Sequence, residues 1–261
     1  MTAPPPPPSP RSHALLEGKT VLVTAAAGTG IGFATAKRCA EEGAAVVLSD
    51  QHEGRLGEAA EQLEQVMGAR PATAVCDVTD QRQVDSMFEV AIGATGGLDV
   101  VINNAGLGGT AHLVDMTDDQ WSRVLDVTLN GTFRCTRAAL QHMLPRGRGV
   151  VVNNASVLGW RAQEGQAHYA AAKAGVMALT RCAAIEAAPA NVRVNAVAPS
   201  LAVHEHLAKV MPQEAIDELV TREAFGRSAE PWEVANVIVF LASDYSAYMT
   251  GEVVSVSSQH P

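Results

Sequence analysis

Residues Val21–Gly32 read VLVTAAAGTGIG, a short apolar run followed by a glycine-rich turn. The apolar run is typical of a buried strand, and the Ala-rich stretch after Gly32 predicts a helix. Glycines in such a turn let the backbone approach a diphosphate, while the helix offers free N–H groups and the positive end of its dipole. The turn favours a dinucleotide site, although its spacing is not GxGxxG and many tight turns also need glycine. The residues predicted to contact the dinucleotide here are Gly28, Thr29, Gly30, Ile31 and Gly32.

Similar apolar runs recur along the chain and alternate with longer helical patterns. The candidate strands are Thr20–Thr24, Ala45–Ser49, Ala72–Cys76, Val100–Asn103, Val150–Asn153, Arg193–Val197 and Val253–Val256. The helical patterns lie near residues 31–42, 53–67, 80–93, 118–143, 166–187 and 231–242. This alternation predicts an α/β fold, a Rossmann-like, doubly wound and predominantly parallel seven-stranded sheet with helices on both faces. Such sheets bind ligands beyond the carboxyl ends of their strands.

Length and composition limit the domain organisation and the partners. The chain has 261 residues, a formal net charge of −9 and 47% hydrophobic residues. This composition favours a globular protein and argues against nucleic acid or a membrane as partner, since no run approaches the roughly 18 apolar residues of a membrane span. The proline-rich residues 1–12 predict a disordered tail, and residues 13–261 a single domain. Four widely spaced cysteines predict reduced thiols in a cytoplasmic protein and no metal site.

Asp50 ends the second predicted strand, in the segment VVLSDQH. A carboxylate at this point can accept hydrogen bonds from both adenosine ribose hydroxyls, and it would repel a 2′-phosphate. Neither Thr29 nor the residues Gln51 and His52 supply a cation for that phosphate. We therefore expect NAD as cofactor rather than NADP. The alternative interpretation is an ordinary solvated aspartate at a strand end.

Ser156, Tyr169 and Lys173 are the predicted catalytic residues. Ser156 ends the fifth strand, and the i,i+4 spacing in HYAAAKAG puts Tyr169 and Lys173 on one helical face. A nearby ammonium, together with a positively charged oxidised nicotinamide, is expected to lower the pKa of the phenol, normally about 10. Tyr169 can then protonate a carbonyl oxygen as hydride arrives, while the Ser156 hydroxyl holds that oxygen and Lys173 also bonds the nicotinamide ribose. YxxxK alone would fit a surface helix, but its combination with a strand-end serine and the glycine turn favours catalysis.

These motifs resemble the short-chain dehydrogenase/reductase family over nearly the whole chain after the proline-rich tail. Further similar segments are Asp77-Val78, Asn103–Gly106, Asn195, Pro199 and PWEVANVIVFLASDYSAYMTGEVV. The resemblance implies an NAD(P)-dependent oxidoreductase, commonly a homotetramer. It also implies that Asp77 and Val78 contact adenine and that Asn104 lies against the adenosine ribose. The AAAGTGIG loop and the VSVSSQHP terminus look similar to a bacterial branch of 3-oxoacyl-thioester reductases that act on steroid-ring-derived CoA thioesters.

Several positions depart from the family pattern. The glycine turn is one residue longer, with Ala25 or Ala26 in place of the first glycine. A fourth catalytic residue, an asparagine in the family, falls here on Thr128, which offers one hydroxyl to hold a water and no amide. Asn130 is too far around the helix to replace it. The remaining departures are Ser200, His204 and Val256–Gln259, where the family has Gly, Thr and VDGG.

The substrate is expected to lie under a helical lid over about residues 200–226. Trp160 and Arg161 would form the opposite wall of the pocket, although Arg161 also fits a solvated loop charge. Residues that would line the lid are Leu201, Val203, Leu207 and Met211, unless they only pack it against the body. Candidates for binding the phosphates of a thioester carrier are Arg146, Arg148 and Lys209. His204 and His206 do not share a helical face, so a metal is not expected.

Three functional hypotheses remain open at the level of sequence. The first is an NAD-dependent oxidoreductase that interconverts a ketone and a secondary alcohol on a bulky acyl-CoA. The second is a 3-oxoacyl carrier-protein or small-alcohol reductase with the same chemistry. The third is a nucleotide-sensing protein that kept the fold and lost efficient catalysis, which the replacements at positions 128, 200 and 204 would permit.

Overall fold

The computed structural model describes residues 5–203 and 213–258. Within them, seven parallel strands form one sheet in the order β3-β2-β1-β4-β5-β6-β7. The strand order reverses between β1 and β4, so a crevice opens there at the carboxyl edge of the sheet. The strands are β1 Thr20–Val23, β2 Ala45–Asp50, β3 Ala72–Val75, β4 Val100–Asn103, β5 Gly149–Asn154, β6 Val192–Pro199 and β7 Val253–Val256. The predicted sheet is confirmed, and it is entirely parallel.

Eight α-helices in the described residues connect and cover the strands. They are α1 Ile31–Glu41, α2 Glu53–Met67, α3 Gln81–Thr95, α4 Asp118–Leu125, α5 Gly131–Met143, α6 Ala167–Ala187, α7 Gln213–Val220 and α8 Pro231–Ala242. The pattern predicted near residues 118–143 is helical throughout, but a π-helical turn at Asp126–Asn130 divides it into α4 and α5. Such turns insert an extra residue into the helical ladder and shift the face that follows.

The core lies on both faces of the sheet because successive strand side chains point in opposite directions. In β1, Val21 and Val23 pack on one face with residues of α1, α2 and α8. Leu22 packs on the other face with residues of α3, α5 and α6. Full burial of each such side chain stabilises the fold by about 1.5–3 kcal/mol. The carboxyl ends of the strands are thereby held in fixed positions.

The segment before β1 is attached to α1 by a buried ion pair. The Glu42 carboxylate accepts hydrogen bonds from the backbone N–H groups of His13 (2.9 Å) and Leu15 (3.0 Å) and pairs with Arg38. Burial alone would raise the pKa of Glu42, but these N–H donors and Arg38 lower it on balance. Arg38 also donates to the carbonyl oxygen of Pro10 at 2.9 Å. The boundary of the predicted tail, whose first four residues lie outside the described ones, stays a prediction.

No helix in residues 5–203 and 213–258 is both long and apolar enough to span a membrane.

Candidate active site

A continuous cleft of about 2650 Å³ runs along the carboxyl edge of the sheet. We call the part lined by residues 24–32, 49–62 and 76–79 the Asp50 end. The part lined by residues 106–110, 156–158 and 161–164, by Gln166, Tyr169 and Lys173, and by residues 218, 219 and 222 is the Tyr169 end. Twelve of the predicted site residues line this one cleft. They are Gly28, Thr29, Gly30, Ile31, Gly32, Asp50, Asp77, Val78, Asn104, Ser156, Tyr169 and Lys173.

The glycine turn at the Asp50 end leads directly into helix α1, with Gly30 as its N-cap. The first turn of α1 carries no acidic residue, so its positive dipole end is not neutralised locally. A Cβ on Gly32 would lie 2.2 Å from the Ala25 carbonyl oxygen and 2.5 Å from Asn104 Nδ2, so no side chain fits there. Ala25 has φ of +49°, a left-handed conformation that glycine adopts more easily. The turn therefore keeps the family geometry while placing alanine at a position suited to glycine.

Asp50 is buried and held in place by backbone donors. Its Oδ1 accepts from the His52 N–H at 3.0 Å and its Oδ2 from the Ala27 N–H at 3.3 Å. The Arg55 guanidinium, half exposed in the first turn of α2, lies 3.9 Å from Asp50 Oδ1. Arg55 is a cation that the sequence interpretation of cofactor choice missed. The sequence did contain a signal for this cation. Helix α2 begins at Glu53, so its third residue, Arg55, lies in the first turn and can reach back towards the end of the strand.

Ser156, Tyr169 and Lys173 meet at the Tyr169 end. Ser156 follows β5, and its Oγ accepts from the Leu158 N–H at 3.2 Å, which fixes the turn after the strand. A side-chain hydrogen bond joins Ser156 to Tyr169. The Lys173 ammonium lies 5.5 Å from the centre of the Tyr169 ring and donates to the Asn154 carbonyl oxygen at 2.5 Å. Ser156 and Lys173 are buried, whereas part of the Tyr169 ring faces the cleft.

The protein's own groups do not lower the pKa of Tyr169. Burial raises it to about 12, a change that the hydrogen bond with Ser156 only partly offsets. Burial also lowers the pKa of Lys173 to about 8. The lowered phenol pKa that the sequence predicts for the complex with oxidised nicotinamide is therefore not a property of the chain alone, because desolvation outweighs the hydrogen bond with Ser156. Tyr169 is a phenol that keeps its proton at neutral pH.

A chain of side-chain hydrogen bonds connects the glycine turn with the catalytic lysine. Asn104 Nδ2 donates to the Ala25 carbonyl oxygen at 3.1 Å, and Asn104 Oδ1 accepts from Asn154 Nδ2 at 2.9 Å. Asn154 in turn accepts from Lys173 through its backbone oxygen. The sequence interpretation missed Asn154. A polar residue at the end of the apolar strand GVVVNN was the available signal, since a strand buried on both faces is normally apolar there.

Thr128 lies in the π-helical turn and is fully buried. Its hydroxyl accepts from the Leu107 N–H at 3.0 Å and donates to the Leu107 carbonyl oxygen at 3.1 Å. The single hydroxyl proton is thus already used, so Thr128 can hold a water only as an acceptor, through its remaining lone pair. Asn130 donates to Asp126 Oδ1 at 3.1 Å. Thr128 acts in this structure by holding the loop after β4.

The predicted substrate wall is only partly observed. Arg161 lines the Tyr169 end, but Trp160 lies outside the cleft with 51% of its surface exposed. Ser200 and Leu201 line the cleft. Val203 does not. Helix α7 adds Glu218 and Leu219, and Arg222 follows just after it. His204, His206, Leu207, Lys209 and Met211 lie outside the described residues, as does Gln259.

Arg146 and Arg148, two of the candidates for binding carrier phosphates, do not line this cleft. Both guanidinium groups pair with Asp99, at 3.2 and 3.7 Å, just before β4. This is the amino edge of the sheet, opposite the cleft. Sequence could not distinguish the two edges for residues that flank a turn.

The described cysteines are free thiols, and three of them are buried. Burial raises the pKa of Cys39 and of Cys76 to about 12. Residues 5–203 and 213–258 contain no group of three or more His, Cys, Asp or Glu side chains placed to hold a metal ion.

The chain is similar to known proteins along almost its whole length. A family model described as enoyl-(acyl carrier protein) reductase matches residues 25–258. The chain is 62% identical over 251 residues to the (5R,7aS)-5-hydroxy-7a-methyl-1-oxo-2,3,5,6,7,7a-hexahydro-1H-indene-carboxyl-CoA reductase of Mycobacterium tuberculosis, covering 95% of each chain. It is 39% identical to the 3-oxoacyl-[acyl-carrier-protein] reductase FabG of Thermotoga maritima, over 92% of this chain and 97% of that one. A crystal structure of a short chain dehydrogenase from Mycobacterium smegmatis superposes with a TM-score of 0.87 at 57% identity, covering 98% of both chains.

Proposed function

The chain belongs to the short-chain dehydrogenase/reductase family of oxidoreductases, and from that premise we propose that it interconverts a ketone and a secondary alcohol with NAD(H). The observation that carries the proposal is the meeting of Ser156, Tyr169 and Lys173 at one end of a cleft. The other end of that cleft holds the glycine turn and Asp50.

The residues at the Asp50 end fit a dinucleotide. Gly32 has no room for a side chain, and the start of α1 presents unneutralised N–H groups suited to a diphosphate. The buried Asp50 carboxylate suits ribose hydroxyls and opposes a 2′-phosphate, which favours NAD over NADP. When bound, the nicotinamide would supply or accept the hydride.

The chain's own residues handle the proton. Tyr169 stays protonated at neutral pH, so its hydroxyl is a ready donor to a carbonyl oxygen that gains negative charge. Ser156, hydrogen-bonded to Tyr169, is placed to hold the same oxygen. Lys173, held by the Asn154 carbonyl oxygen, supplies a buried positive charge beside the phenol. In the reverse direction the Tyr169 phenolate, the form left after the proton is donated, would accept the alcohol proton.

For the substrate we propose a bulky, ring-bearing acyl-CoA derived from a steroid ring. The support is the 62% identity to a relative named for a bicyclic carboxyl-CoA substrate. Loop 106–110 and helix α7 would bound the ketone at the Tyr169 end.

The test is NADH oxidation by the purified protein with a set of ketones. The set contains a fused-ring keto acid as its CoA thioester, the matching free acid, and a 3-oxoacyl carrier-protein thioester. The proposal expects turnover, with the highest kcat/KM for the CoA thioester. Equal kcat/KM for thioester and free acid would remove the carrier from the proposal. Tight NADH binding without turnover of any ketone would favour the nucleotide-sensing alternative.

We further propose a cytoplasmic homotetramer. Large apolar side chains are exposed on α5, on α6 and on and after α8, namely Phe133, Ile185, Phe240 and Tyr248. Exposed groups of this kind mark surfaces that pair with other copies. The mass in solution by light scattering would be four times that of one chain; a monomer would contradict this assembly.

A further inference from the structure

The loop after β4, residues 106–110, lines the cleft and passes beside the Tyr169 ring. We propose that Gly108 in this loop determines the size of the ketone that the site accepts. The missing side chain at position 108 leaves room beside Tyr169 for a fused-ring substrate. This inference rests on the proposed function and specifies its substrate class.

Gly108 is open on the side that faces the catalytic tyrosine. A Cβ built on it would have one described heavy atom within 4 Å, Tyr169 Cδ2, at 4.0 Å. A longer side chain would therefore extend along the Tyr169 ring into the cleft. The backbone of Gly108 is outside the left-handed region, so the loop conformation does not require glycine. What glycine provides at this position is space.

The loop is fastened on both sides of Gly108, so it cannot move back to admit a side chain. On one side, the Thr128 hydroxyl makes two hydrogen bonds to the backbone of Leu107. On the other, Gln166 Nε2 donates to the Gly109 carbonyl oxygen at 2.8 Å and to Thr110 Oγ1 at 3.2 Å. Gln166 is buried and precedes α6, the helix that carries Tyr169. The hydrogen bonds of Thr128 and Gln166 thus fix the distance between this loop and the Tyr169 ring.

The neighbouring Gly109 faces a different group. A Cβ built there would lie 3.3 Å from His168 Nε2, a buried ring whose Nδ1 accepts from the Tyr169 N–H at 2.9 Å. Gly109 therefore provides a matched control in the same loop, because an added methyl group would press on His168 and not on the face of the phenol.

The experiment measures kcat/KM for two CoA thioesters that differ in size, a fused-ring ketone and acetoacetyl-CoA. Both carry the same carrier, so their ratio reports on the ketone pocket. One methylene changes discrimination in an apolar pocket by roughly 10–200-fold. We expect Gly108→Ala to lower the ratio of fused-ring to acetoacetyl turnover about 10-fold and Gly108→Val about 100-fold. The NADH dissociation constant should stay at the wild-type value.

Gly109→Ala should lower the melting temperature while leaving that ratio unchanged. The inference is overturned if Gly108→Ala leaves the ratio unchanged, if both thioesters lose activity equally, or if Gly109→Ala lowers the ratio as much. If Gly108→Val does not fold, Gly108→Ala still carries the test. A wild-type protein that turns over neither thioester would contradict the proposed function and not the role of Gly108.

Discussion

The Asp50 end and the Tyr169 end of the cleft are built in different ways. The Asp50 end consists of strand ends and the turns that follow them, and its contacts are mostly backbone donors around one carboxylate. The Tyr169 end joins loop 106–110, the segment from Ser156 to Lys173 and helix α7, which are far apart in sequence. The first end suits a ligand that is constant across a family. The second can change its shape through single residues such as Gly108 while the chemistry stays fixed.

The largest expected effect separates chemistry from nucleotide binding. Tyr169→Phe removes the proton donor at one end and leaves the other end intact. A general acid contributes about 10²–10⁴-fold, so kcat for ketone reduction should fall by that factor. NADH affinity, measured by fluorescence titration, should hardly change. A large loss of NADH affinity together with kcat would show that the two ends are not independent.

The next effect concerns the Asp50 end alone. Asp50→Asn removes the charge that opposes a 2′-phosphate and releases Arg55, now 3.9 Å from Asp50 Oδ1. We expect NADPH to bind about 10–100-fold more tightly than to the wild type, a gain of about 1.4–2.8 kcal/mol. The matched control is the double variant Asp50→Asn, Arg55→Ala, which should lose most of that gain. Wild-type protein that prefers NADPH would contradict the assignment of Asp50.

A smaller effect is the pH dependence of the Tyr169 end. Burial lowers the pKa of Lys173 to about 8, so its ammonium is present below that pH and is lost above it. We expect kcat/KM for ketone reduction to fall above about pH 8, by about tenfold per pH unit. Lys173→Arg keeps its charge at all accessible pH values, so its residual activity should lack this decline. NADH affinity should not follow the same curve. An identical pH profile in both proteins would exclude Lys173 as the titrating group.

The smallest effect lies in the glycine turn. Ala25 holds a left-handed φ of +49°, so Ala25→Gly should raise the free energy of unfolding by about 1 kcal/mol. Gly28 offers the reverse substitution in the same turn, because it has a φ of +112° and open space around a built Cβ. Gly28→Ala should lower the free energy of unfolding. Urea unfolding measures both variants, and a destabilised Ala25→Gly would show that the turn needs the alanine methyl group.

Sequence reasoning located the Asp50 end better than the Tyr169 end, for a physical reason. A glycine turn and a strand-end aspartate are local patterns, and the period of a strand or helix alone places their side chains; at the Tyr169 end this holds for the YxxxK pair but not for the loops around it. The sheet was predictable for the same reason, since its strands are continuous apolar runs. The π-helical turn at Asp126–Asn130 was not, because it depends on packing around Thr128.

The contacts that sequence could not show are those between distant segments. Gln166 reaches Gly109 across 57 positions, and Asn154 reaches Asn104 across 50. Arg146, a candidate for binding carrier phosphates, is held by Asp99 at the edge of the sheet opposite the cleft. The effect of burial on the pKa of Tyr169 was not predictable either, because the cost of burial depends on neighbours that no spacing rule reveals.

A structure of the protein with NADH and a fused-ring keto acyl-CoA bound would test the division of the cleft into two ends. We expect the ketone oxygen within about 2.6–3.2 Å of both Tyr169 Oη and Ser156 Oγ, with the adenosine ribose on Asp50. A ketone oxygen away from both hydroxyls, or a dinucleotide lying in the opposite direction along the cleft, would contradict the assignment of the two ends.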